Sequence, residues 1–170
     1  FVVECFPGQF RNWFYSLLAM STIMESKAPF KTLLGHALVK DETGRDMHKS
    51  WGNAIWFEDA AEKMGVDTMR WLYASQNPEY NLMFGYKLAD EERKHLITLW
   101  NTYSFFITYA KLDKFNPMKY NLDNVKLQQL DQWILSKVNN FALSADKLYS
   151  NFETHKLMKE SKLLIDDISN

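Results

Sequence analysis

A lysine set among polar residues and followed by a Gly-Asn pair can bring an ammonium to a phosphate. Residues 44–53 hold such a run: Gly44-Arg45-Asp46-Met47-His48-Lys49-Ser50-Trp51-Gly52-Asn53. The run is polar and lacks a clear period, so it reads as a loop that can swing. Lys49 offers a compact charge with three donors, and His48 a donor that is neutral or, once protonated, cationic. By composition alone the run favours a solvated loop over a site. Elsewhere the chemistry is sparse. Cys5 is the one cysteine; a single thiol makes neither an internal disulfide nor a Cys-rich zinc site and suits a reducing compartment. No metal site is expected.

The elements that would carry the loop follow from the pattern. Phe1-Val2-Val3-Glu4 is β-branched and reads as a strand, which Phe6-Pro7-Gly8 breaks. Apolar residues then recur at helical spacing from residue 9 to about 25, among them Phe10, Trp13, Phe14, Leu17 and Leu18. Strand, glycine turn and helix in that order make half of a βαβ unit. Residues 33–39 form a second strand candidate, and Asp41-Glu42-Thr43-Gly44 a turn. Short helices are expected over 57–64 and 68–75, with Asp67 or Thr68 as the cap of the second. Beyond residue 90 three long helical patterns follow, at about 90–111, 131–149 and 154–168. Ile134, Val138 and Phe141 share one face of the middle one. The fold expected is mainly α with a small parallel β element, ending in an antiparallel helical bundle. The boundary is placed near residues 78–90.

Composition bounds the rest. With 170 residues, 46% hydrophobic and 15% aromatic, the chain can fill one ordinary core or two small ones. A formal net charge of −1 gives no global pull toward nucleic acid, so any RNA contact must be local. No apolar run approaches the roughly 18 residues a membrane helix needs, and no basic-then-apolar leader opens the chain. The opening residues, without a Met, read as the middle of a strand in a longer protein, and Asn170 falls inside a helical pattern.

The loop resembles the signature of class I aminoacyl-tRNA synthetases, Gly-Arg-Lys-Met-Ser-Lys-Ser-x-Gly-Asn, at Gly44, Arg45, Met47, Lys49, Ser50, Gly52 and Asn53. Its surroundings agree with the isoleucine type. Gln9-Phe10-Arg11-Asn12-Trp13-Phe14 is similar to Asp-Gln-Thr-Arg-Gly-Trp-Phe, and this run favours isoleucine over valine or leucine relatives. His36 stands where the family has a histidine in the strand before the loop. Gly65-Val66-Asp67-Thr68-Met69-Arg70 looks like Gly-Ala-Asp-x-Leu-Arg. In the helical half, Leu99-Trp100-Asn101-Thr102-Tyr103, Asp131-Gln132-Trp133-Ile134-Leu135-Ser136 and Asp166-Asp167-Ile168-Ser169-Asn170 resemble segments of the anticodon domain. The likeness runs through the chain in the family's order, which is more specific than any one motif.

The resemblance implies that residues 1–80 form the C-terminal part of a Rossmann-like catalytic core and 90–170 part of an anticodon-binding helical domain. It implies an ATP-dependent ligase of the cytoplasm, using Mg2+ with ATP, that joins isoleucine to tRNA through an adenylate. Lys49 would stabilise the leaving phosphates, with His48 beside it. Met47, Gly8, Gln9 and His36 would contact ATP, while Glu4, Gln9 and Trp13 would face the amino acid. For Gln9 a capping role, and for Trp13 a place in a core, stand as the alternatives. The family's His-x-Gly-His motif and editing domain are absent from these residues, so the chain alone is expected to be inactive. An apolar pocket discriminates only weakly against a side chain one methylene smaller, which is why isoleucine enzymes need such editing.

Several positions depart from the pattern. Asp46 replaces the first signature lysine and His48 the first serine. A carboxylate near polyphosphate is unfavourable unless it points away or binds magnesium. Gly8 stands where the family usually has Asp, and Asn12 where it has Gly. These departures motivate a second reading, a synthetase-like protein that binds nucleotide or RNA without charging. In the helical half, Lys156, Lys159 and Lys162 recur on one side of the last helix, as a solvated face also would. Trp100, Tyr103, Phe105 and Phe106 are expected in a core rather than as base-stacking platforms.

Overall fold

The computed structural model describes residues 1–170, the side chain of Leu122 excepted. Strand β1 (Val2–Cys5) leads through a one-turn helix α1 (Phe6–Gln9) and helix α2 (Trp13–Glu25) to β2 (Leu33–His36). β3 (Val39–Asp41) is followed by the loop, by α3 (Phe57–Met64) and α4 (Val66–Ser75), and by β4 (Leu82–Phe84). β1 pairs with β2, from Val2 opposite Leu33 to Cys5 opposite His36, and β3 pairs with β4, from Val39 opposite Leu82 to Asp41 opposite Phe84. Both pairs are parallel, because each return passes through helices. The helices α5 (Tyr86–Leu112), α6 (Gln129–Ser150) and α7 (Thr154–Ser169) complete the chain. The mainly helical class with small parallel β elements is thus as read from the sequence.

Several boundaries differ. Phe6-Pro7-Gly8 does not break the chain into a turn: it coils, because Pro7 occupies the first helical turn, where its missing N–H is not needed. The break moves to Phe10–Asn12, where the Asn12 side chain donates to the Gly8 carbonyl at 2.9 Å. The strand expected over 33–39 divides at Ala37 and Leu38. There the chain changes partner: Ala37 N–H donates to Pro78 O at 2.9 Å, and Leu38 N–H to Asn81 Oδ1 at 3.1 Å. The cap of α4 is Gly65, at φ +82°, and not Asp67 or Thr68. A left-handed residue is needed where α3 stops and α4 starts at once, and Thr68 is buried in the first turn. α6 opens two residues before Asp131, which closes a capping box with Gln128.

The chain divides into two compact units, Phe1–Ala89 and Asp90–Asn170, with the boundary inside α5. In the first unit Ala60, Met64, Met69, Leu72, Phe84 and Ala89 form a buried cluster, extended by Ile55, Leu82, Tyr86 and Leu88. Tyr73 stacks on Phe84 with the rings 5° from parallel. A second cluster surrounds buried Phe14, which meets Phe6 edge-on and stacks on Phe30. In the second unit Leu148, Leu157 and Ile165 are buried, and α6 packs on α7. Lys162 bonds Glu92 at 2.7 Å and Lys137 pairs with Asp167 at 3.0 Å. Lys156 pairs with Glu153, so the lysines of α7 do not form one free basic face. The four aromatic residues of α5 expected in a core are not in one. Trp100, Tyr103, Phe105 and Phe106 are all more than half exposed, since the buried residue of this helix is Ala89, near its start.

Burial separates apolar residues that hold the fold from those that do not. Leu72→Ala, at a 3% exposed site, is expected to cost about 2–5 kcal/mol in urea unfolding. Ile23→Ala, at an 82% exposed site, should stay within about 0.5 kcal/mol of the parent.

Candidate functional site

The loop leaves the carboxyl end of β3, the end at which parallel α/β sheets bind ligands. Its base is a clasp built on Asp41. Oδ1 accepts from Thr43 N–H at 2.9 Å, Thr43 Oγ1 at 2.7 Å and Arg45 N–H at 2.9 Å. Oδ2 accepts from Asn53 Nδ2 at 2.8 Å, twelve residues on. Asn53 then binds the loop from inside: Nδ2 donates to Asp46 O at 2.9 Å, and Oδ1 accepts from His48 N–H at 2.9 Å. These bonds, with Asn53 first, hold the Asp41 carboxyl well below the usual carboxylate range. Gly44 supports the turn at φ +85° and Gly52 ends it at φ +71°, a region that disfavours side chains.

Inside the clasp the chain is not featureless. Lys49–Trp51 forms a single 3-10 turn. Asp46 pairs with Lys40, whose side chain is only 14% exposed. The buried ammonium needs a counter-charge, and the bond from Lys40, with its charge, lowers the Asp46 carboxyl. The carboxylate that replaces the family's lysine is therefore neutralised from the strand. His48 is exposed and lies edge-on to Trp51, with ring centroids 4.3 Å apart. Lys49 is exposed, its Nζ 4.4 Å from the centre of the Trp56 ring. Met47 is half-buried, as suits an anchor of the loop.

The other candidates gather at the first strand pair. Cys5 lies opposite His36, so α1 begins beside the end of β2. The Phe6 ring lies over Gly35, where an added Cβ would meet it at 2.2 Å. Glu4 is buried and accepts Cys5 N–H at 2.9 Å. His36 Nδ1 lies 2.9 Å from Ala37 O. A carbonyl only accepts, so this hydrogen bond requires Nδ1 to carry a proton. Gln9 is half-buried, and Trp13, 44% exposed, is neither a core residue nor fully open. Gly8 is exposed with nothing within 4 Å of an added Cβ, so the aspartate usual in the family would fit there. The sequence did not single out Lys40, Asp41, Trp51 or Trp56. Only the position of Asp41 at a turn signalled it, since a short carboxylate there bonds backbone N–H groups.

Residues 3–83 match the family described as tRNA synthetases class I (I, L, M and V). The isoleucine–tRNA ligase of Methanocella arvoryzae is 36% identical over 99% of this chain and 16% of its own length. That of Clostridium novyi is 37% identical over 98% of the chain and 17% of its own length. The chain belongs to the class I tRNA synthetase family. It spans about a sixth of the length of these curated relatives. The fold is also that of a solved leucine-enzyme structure, the Agrobacterium radiobacter LeuRS in a ternary complex with tRNA and LeuAMS. The TM-score is 0.57 at 14% identity, over 92% of this chain and 22% of that one. Every candidate residue of this synthetase segment, from Glu4 to Lys49, lies within the matched residues.

Glu42, next to Asp41, ties the loop base to α5. Its Oε1 accepts Leu88 N–H at 3.0 Å, in the first turn of that helix. The side chain crosses Gly85 so closely that a Cβ there would lie 2.0 Å from Glu42 Cγ. Glu42→Ala removes the cap and Gly85→Ala displaces it, each at an expected cost of about 0.5–2 kcal/mol. In a double-mutant cycle read by urea unfolding the two costs should fall well short of additive.

The clasp has its own pH signature. A carboxyl lowered by folding stabilises the folded loop fully above its unfolded value, near 3.8. That contribution fades as pH drops below 3.8 toward the lower folded value. Amide exchange at Thr43 and Arg45, corrected for intrinsic rates, should thus show constant protection from pH 7 to about 4.5 and weaken below. Asn53→Ala should speed exchange at His48 on the order of 5- to 10-fold at neutral pH.

Proposed function

We propose that the intact protein is an ATP-dependent ligase that charges tRNA-Ile with isoleucine through an aminoacyl-adenylate. The observation that carries this reading is the placement of Lys49. It sits on a loop clasped at the carboxyl end of β3, with the nearby Asp46 carboxylate already paired. In this reading residues 1–80 belong to the catalytic core and 90–170 to the anticodon-binding domain. The isoleucine assignment rests on the names of the relatives and on the run Gln9 to Phe14.

The amino-acid carboxylate attacks the α-phosphate of ATP, and pyrophosphate leaves. Negative charge grows on the phosphate oxygens, so positioned cations contribute most. Lys49 stabilises the leaving phosphates. His48, its backbone fixed by Asn53, adds a donor beside it. Met47 seats the loop against the adenine side, and Gly8, Gln9 and the Nε2 of His36 face the nucleotide. Glu4, Gln9 and Trp13 face the amino acid, with the indole as an apolar wall for a branched aliphatic side chain. Among the described residues no group of three His, Cys, Asp or Glu is placed to hold a metal. Magnesium would enter on ATP, held largely by phosphate oxygens and water. No helix among the described residues is long and apolar enough to cross a membrane. The proposed reaction, on tRNA, belongs to the cytoplasm. The chain by itself, which carries no His-x-Gly-His run, would not form the adenylate.

Isoleucine-dependent ATP–pyrophosphate exchange by the full-length protein tests the assignment. Exchange is expected with isoleucine. Exchange driven by valine or leucine instead would reassign the substrate, and none with any aliphatic amino acid would remove the ligase reading. Lys49→Ala should lower the rate about 10²–10³-fold without moving the unfolding midpoint. An unchanged rate would remove Lys49 from the phosphates.

A further inference from the structure

Trp56 occupies a position that its side chain does not suit. It is the N-cap of α3: its carbonyl accepts Ala60 N–H at 2.9 Å, while its side chain makes no capping bond. Caps favour Ser, Thr, Asp or Asn, whose oxygens satisfy a free N–H. The indole is 53% exposed, so burial does not account for it either. What it does contact is the Lys49 ammonium, 4.4 Å from the ring centre, well within cation–π range. Ala60 and Met64 bury α3 in the core, so the ring stands on a fixed element while Lys49 rides on the loop. Asp46 is engaged by Lys40, and among the described residues Lys49 is in no ion pair.

We infer that Trp56 is a resting place for the Lys49 ammonium, a positioning residue that holds the loop cation on a π face until phosphates take it. The inference rests on the proposed role of Lys49. An aromatic face holds the ammonium weakly, whereas a carboxylate would form an ion pair that competes with phosphate for the same charge. A cation–π contact at an exposed site shifts an equilibrium by a factor of about 2–5. That is enough to bias an empty loop, and a polyphosphate with several charged oxygens displaces it readily. The ring covers one side of the ammonium in this state, so engagement of phosphate from that side requires the contact to break.

Two measurements on the full-length protein test this, each with Trp56→Leu and the conservative Trp56→Phe. The first is the rate at which an amine-reactive ester acylates Lys49 without nucleotide, read by peptide mass spectrometry. Leu should raise it about 2–5-fold and Phe by less. The second is isoleucine-dependent exchange, in which Leu should lower the KM for ATP by a similar factor with kcat held within about twofold. Phe, which keeps an aromatic face, should lie between Leu and the parent. Unchanged labelling in the Leu variant, or a KM for ATP that is unchanged or raised, overturns the inference. If the parent shows no exchange with any amino acid, the ligase reading falls, and the labelling result alone decides whether Trp56 holds Lys49.

Discussion

One carboxylate organises the loop that carries Lys49. Asp41 ends β3 and reaches forward to two backbone amides, a hydroxyl and the Asn53 side chain. Asn53 lies twelve residues beyond it, and closing a flexible loop of that size is entropically costly. A single hydrogen bond would leave it open much of the time. Four bonds to one carboxylate, with Asn53 adding two more to the interior backbone, fix both ends and the middle. What is left free is the outward side of the turn, where His48 and Lys49 are exposed. A loop held at its base with exposed polar side chains outward is the form expected of a segment that meets a ligand.

Long-range order was legible where one periodicity ran for several turns. The three helices of the second half, and the short helix over 57–64, follow from apolar spacing alone. The signature loop was legible as a collinear set of identities rather than as a site, since Lys49 and Asn53 in isolation describe any polar turn. Several other ends were not legible. Gly65 took the cap from Asp67 and Thr68 because two helices meet there without a linker, a tertiary demand that local preference does not see. The strand over 33–39 divided because its second half finds Pro78, Asn81 and β4, residues more than forty positions away.

The aromatic residues of α5 failed for a related reason. Large rings at helical spacing ordinarily mark a core, yet Trp100, Tyr103, Phe105 and Phe106 are open in this chain. Hydrophobicity states what a side chain gains by leaving water, and a single sequence does not state what is available to cover it. The same gap concealed the pairs that shape the site. Lys40 with Asp46, and Lys49 with Trp56, join residues across a loop that has no regular period, so no pattern announces them.

Those pairs bear on the most conspicuous departure of this loop from its family. Residues 40–53 contain Lys40, Arg45 and Lys49 against Asp41, Glu42 and Asp46, so the segment carries no net formal charge. At physiological salt, fields from such a balanced set are screened within roughly 8 Å. A general attraction of the loop for polyphosphate is therefore not available, and local placement must supply the effect. Each carboxylate already has a partner within the fold, since Asp41 holds the clasp, Glu42 the first turn of α5, and Asp46 the ammonium of Lys40. Lys40, largely buried, is taken up in the same exchange. The cation remaining on the 3-10 turn is Lys49, held on an uncharged ring. Replacing a signature lysine by aspartate thus removes one positive charge from the loop without setting a free negative charge beside the one that stays.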